Sequence, residues 1–91
     1  MSKPQRPQLT KVVLDVLKTH EPSVVELGRL ISELDGVSHV SIIVGEMDAK
    51  TETVKMTIEG TGLNYDEIER TIRRFGATIQ SIDEVIYSSG R

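Results

Sequence analysis

Twice along this chain, a strand-like run is followed by a helix with its own start and stop signals, and then by a second strand-like run. The first run, Leu9 to Thr19, is rich in β-branched and apolar residues (Val12, Val13, Leu14, Val16, Leu17), with Asp15 the exception in its middle. Apolar side chains on both faces mark a central strand covered on two sides. His20-Glu21-Pro22 breaks it. Ser23 to Glu26 then has the form of a capping box, and Val24, Leu27, Ile31 and Leu34 recur at helical spacing up to Gly36. This predicts a helix over Val24–Asp35 that ends at a left-handed glycine.

The second half repeats the plan. Val37 to Asp48 alternates, with Val40, Ile42 and Val44 opposed to His39, Ser41, Ile43 and Gly45. After a turn at Ala49–Thr51, Glu52 to Glu59 alternates again, with Val54, Met56 and Ile58 in one phase, which makes a hairpin. Asn64 to Glu67 is a second capping pattern, Ile68, Ile72 and Phe75 form the apolar stripe, and Gly76 ends the helix. A last strand spans Thr78 to Tyr87. Either Ile82 and Ile86 or Ile79 and Val85 face away from the helices, since both phases are half-apolar. The order is βαββαβ. With right-handed crossovers it gives an α+β, ferredoxin-like sandwich: a four-stranded antiparallel sheet in the order 4-1-3-2 with two helices on one face. One domain is expected over 9–87, between tails at 1–8 and 88–91.

The chain has 91 residues and a formal net charge of −3, and it has no cysteine. The missing thiols remove disulfides, thiolate zinc sites, iron–sulfur clusters and cysteine nucleophiles together. The basic residues are scattered, and no aromatic side chain sits on a central strand, so nucleic acid is not an expected partner. No apolar run is long enough to span a membrane, and Met1 to Gln8 lacks the apolar core of a secretory signal. The expected location is the cytoplasm. A domain this small gains from burial against a second copy. Its helix-free face carries Lys11, Val13, Asp15 and Leu17 with Ile43, so a homo-oligomer is expected to form through that face.

Asp15 is costly inside a central strand unless it pairs or binds something. Lys55 is the partner expected from the strand order. Asp15, Lys18 and His20 are the candidate ligand-binding residues. His20 lies in a strand-to-helix loop, where it either caps the helix, meets solvent, or serves as ligand or proton carrier. Glu46 and Asp48 project the same way from one strand, and Asp83 lies on the last strand. These three are the candidate oxygen ligands for a divalent cation, calcium or magnesium. An acid–base enzyme would need His20 to share a cleft with Asp48 or Asp83. A regulatory domain of the amino-acid-sensing kind, acting on a partner enzyme, needs no strict motif and is the alternative.

Val12-Leu-Asp-Val-Leu-Lys18 with His20 and Pro22, Glu46-Met-Asp48 with Thr51, Lys55-Met-Thr-Ile-Glu-Gly60 and Ser81-Ile-Asp-Glu-Val85 together resemble the archaeal family called domain of unknown function 211. The resemblance runs from about Leu9 to Val85. Thr19 stands where the family pattern has proline, and Gln80 where it has histidine, which weakens any histidine-based site on the last strand. The resemblance implies the ferredoxin-like fold, ring-like homo-oligomers, an archaeal cytoplasmic source, and compatibility with a carboxylate-bound ion such as calcium. It implies no established activity.

Overall fold

The computed structural model describes residues 6–89, in the order β1 (Gln8–Thr19), α1 (Val24–Ser32), β2 (Val37–Met47), β3 (Thr51–Gly60), α2 (Tyr65–Phe75) and β4 (Thr78–Ser88). The four strands form one antiparallel sheet in the order β2-β3-β1-β4, which is the expected 4-1-3-2 order read from the other edge. Of the two expected tails, residues 1–5 and 90–91 lie outside the described residues. Gln8 and Ser88 belong to the sheet, opposite one another in the β1–β4 ladder.

Residues opposed in a ladder share a face. Val12, Leu14 and Val16 of β1 oppose Ile58, Met56 and Val54 of β3, and these six meet Leu27 and Ile31 of α1 and Ile68 and Ile72 of α2 in the core. Both helices therefore lie over the central pair of strands. The edge strands are covered in part: Val37, Val40 and Ile42 of β2 and Ile79 of β4 pack against this core, but among the described residues none of β2 or β4 is buried.

The last strand resolves the choice between its two phases by adopting neither. Register irregularities fall between the partners of Val13 and Leu14 and between those of Asp15 and Val16. Val16 opposes Ile79, Leu14 opposes Ile82 and Val12 opposes Val85, so these three share the helix-bearing side at a spacing of three. Ile86, opposite Lys11, lies on the other side. Each bulge spends one extra residue on the helix-free face, which is how Asp83 joins Glu84 there.

The two helix starts differ. Asn64 Oδ1 accepts a hydrogen bond from the Glu67 amide at 3.1 Å. Ser23 occupies the equivalent position without a side-chain cap, and the Glu26 carboxylate, which would complete the box by reaching back to the Ser23 amide, is drawn to Arg29, which also holds Glu33. The capping box expected there does not form. The first helix also ends earlier than its periodicity predicts, since its last amides turn to i−3 acceptors before Gly36 at φ 86°. Asn64→Ala is accordingly expected to cost about 1 kcal/mol in a urea melt, and Ser23→Ala much less. Equal losses would contradict this difference between the caps.

Candidate functional site at the hairpin tip

The alternation that buries Val16 and Val54 carries on for one more pair: Lys18 opposes Glu52. Both side chains thus enter the helix-bearing side, at the end of the sheet where β1 leaves for α1. Lys18 is 3% exposed and Glu52 6%. An ammonium has three N–H donors, and three acceptors surround this one: Glu52 Oε2 at 2.8 Å, the Thr19 carbonyl at 2.6 Å and the His20 carbonyl at 3.3 Å.

His20 completes the cluster. The loop leaving β1, through Glu21 and Pro22, sets its imidazole between two elements. Nδ1 lies 3.0 Å from Glu52 Oε1, and Nε2 lies 2.8 Å from the Asp48 carbonyl oxygen in the β2–β3 turn. Hydrogen bonds from Lys18 and then His20 hold the Glu52 carboxyl below the usual carboxylate range, against the opposing effect of burial. The same contact with Glu52, followed by that with Asp48, raises His20 above its usual value.

The Asp48 carboxylate is turned into its own loop. Its Oδ1 accepts from the Lys50 amide at 3.0 Å, the Thr51 amide at 2.9 Å and Thr51 Oγ1 at 3.1 Å. The Thr51 and Lys50 amides hold its pKa down. So His20 meets Asp48 through the backbone and not through the acid, and both ring nitrogens are already engaged. The geometry expected of an acid–base pair is not formed.

The remaining expected site residues lie elsewhere. Asp15 is on the opposite, helix-free face, apart from Lys18 and His20. Its expected partner Lys55 stands opposite it in the ladder but reaches across β1 to Asp83 Oδ2 at 3.0 Å. Asp83 is available there because of the bulge, and Ser81 Oγ donates to its other oxygen at 2.8 Å. The Ser81 and Lys55 hydrogen bonds lower the Asp83 pKa. Glu46 on β2 and Asp48 in the β2–β3 turn lie at one edge of the sheet and Asp83 on β4 at the other, so the three expected ion ligands do not meet within one chain. Among the described residues, no group of three or more histidines, aspartates or glutamates could hold a metal ion.

The helix-free face is also more polar than its apolar members suggest. Lys11–Glu84 at 3.2 Å and Lys55–Asp83 cross it, and Val13 is buried. Besides Val25 on α1, the exposed large apolar side chains lie on the two edge strands: Ile43, Val44 and Met47 on β2, and Ile82, Val85, Ile86 and Tyr87 on β4, with Ile43 and Ile86 on the helix-free side. Among the described residues, no helix is long and apolar enough to cross a membrane.

Glu52 is the residue that sequence reasoning passed over. The signal was present, since Glu52 shares the phase of Val54, Met56 and Ile58 and Lys18 that of Val12, Leu14 and Val16.

The profile of the family DUF211, described as "Uncharacterized ArCR", matches residues 10–90. "Uncharacterized protein MJ0319" of the archaeon Methanocaldococcus jannaschii is 45% identical over 78 residues, which cover 86% of this chain and 80% of that one.

Proposed function

The chain belongs to the DUF211 family, and from that premise we propose that it is a non-catalytic homo-oligomeric module whose copies join edge to edge, with a small ligand or divalent ion bound at the junctions. The observation that carries this reading is the pair of bare edges. Both outer strands expose large apolar side chains, Met47 at 64% and Ile43 at 63% on β2, and Tyr87 at 62% and Ile82 at 52% on β4. An unpaired strand edge flanked by apolar residues is a template for another chain. The two edges are unlike, so a two-fold contact through one leaves the other wet. Joining β2 of one copy to β4 of the next covers both, and such a head-to-tail contact produces a closed ring when the rotation permits. A bound ion would need acidic groups from more than one copy.

The amino-acid-sensing alternative gains nothing from the groove of about 460 Å³ between α1 and β2. Arg29, the cation on its wall, is already held between Glu26 and Glu33.

Size-exclusion chromatography with light scattering tests the assembly. The wild-type protein is expected to elute at several times the protomer mass, and Val85→Lys, which places a charge on the β4 edge, is expected to give a folded species of lower mass. A wild-type monomer, or a variant of unchanged mass, would contradict the edge-to-edge reading.

A further inference from the structure

The His20 ring faces two groups that can only accept hydrogen bonds: the Glu52 carboxylate at 3.0 Å and the Asp48 carbonyl at 2.8 Å. A neutral imidazole has a single N–H to give, whereas the imidazolium has two. We propose that His20 is a proton-operated latch, which in its charged form ties the β1–α1 loop to the tip of the β2–β3 hairpin and on losing its proton releases that tip.

The surrounding charges set which contact is lost. The Glu52 carboxylate faces the ring from β3, the Asp48 main-chain carbonyl from the turn and the Lys18 ammonium from β1, where it also meets the His20 carbonyl. Glu52 is kept ionised by Lys18, so it is the stronger acceptor of the two, and the last proton stays on Nδ1. Nε2 then turns a lone pair towards the Asp48 carbonyl, and the start of the turn loses its tie to the β1–α1 loop, while the β3 side of the tip stays paired to β1 through Thr51 and Thr19.

The β2 side of the tip is the side free to respond. Its turn is held internally by the Asp48 side chain and by the Asp48 amide on the Thr51 carbonyl at 2.9 Å. A register irregularity between Val44 and Met47 separates it from the rest of the β2–β3 ladder. The sign follows from the raised value: the latch is closed below the ordinary histidine pKa and opens as pH rises through the higher folded one. The inference concerns contacts made within one chain.

Two mass-spectrometric exchange experiments test it on the intact protein, run from about pH 5 to about pH 9 to bracket histidine titration. Exchange at the imidazole carbon reports the protonation of His20, with His39 as an internal comparison. Amide exchange over residues 48–51, corrected for the chemical rate, reports the tip. His20 is expected to titrate above ~6.5, and tip exchange is expected to quicken on the order of tenfold across the same step, the loss of one hydrogen bond from a charged donor. The step should vanish in His20→Gln. His20 titrating at or below the ordinary value, a tip that does not follow it, or a step that survives His20→Gln would each overturn the latch.

Discussion

Glu52→Ala is expected to destabilise the domain by about 3–5 kcal/mol, the loss typical of removing one partner from a buried ion pair. Lys18 would remain almost wholly enclosed, its ammonium left with two backbone carbonyls and no counter-charge. Most of the loss is the desolvation of that stranded charge and not the strength of the pair itself. The paired replacement Lys18→Met with Glu52→Leu keeps the shape, removes both charges, and is therefore expected to stay within about 1–2 kcal/mol of wild type. Urea denaturation at fixed protomer concentration measures both. A loss below about 1 kcal/mol for Glu52→Ala would show that water reaches Lys18. The pair also sets an acid limit. Because the folded pKa of Glu52 is depressed, its contribution is complete above the unfolded value of ~4.3 and is lost as pH falls through the folded one. His20 has the opposite sign, so together they favour the folded state most between an acid limb and a limb above the histidine range. The acid limb should be weaker in Glu52→Ala.

The second large effect is expected at the other end of the sheet. Gly60, the last residue of β3, passes so close to the turn after α1 that an added Cβ would stand 1.8 Å from the Gly36 carbonyl oxygen and 2.9 Å from its carbon. That carbonyl accepts the Thr61 amide at 2.9 Å. The obstruction is backbone, so no rotamer change relieves it, and the turn must part from the strand. Gly60→Ala is expected to cost about 3 kcal/mol, at the upper end of the overpacking range, which lowers the melting temperature by roughly 12–25 °C in a domain of this size. Gly76→Ala separates steric from conformational cost. A Cβ there meets nothing within 4 Å, but φ is 99°, so only the left-handed penalty of about 1–2 kcal/mol remains. A Gly60→Ala loss no larger than that of Gly76→Ala would mean that the contact yields easily.

The order of elements and the strand order are legible in the sequence because alternation, helical spacing and stop residues agree in each half. The three-residue spacing of Ile79, Ile82 and Val85 is not, since bulges come from pairing with β1 and leave no mark in the run itself. They also explain why Lys55 meets Asp83 instead of Asp15. The exposure of the edge strands is equally hidden, because Val44 shares the phase of Val40 and Ile42 and both phases of the last strand are half-apolar, whereas coverage depends on where the helices lie. The Lys18–Glu52 pair is half legible: phase places each on the buried side, but only the ladder register brings them opposite one another. The contact of His20 with Asp48 is beyond side-chain pattern altogether, since the acceptor is a main-chain carbonyl.

The central claim, that copies of this chain assemble edge to edge and bind at their junctions, is tested most directly by native mass spectrometry of the untagged protein, before and after treatment with a chelator. The proposal predicts a closed assembly of one defined subunit number. Extra mass lost on chelation would identify an ion at the junctions, and extra mass that survives it would identify a small ligand. A monomer under both conditions would contradict the claim.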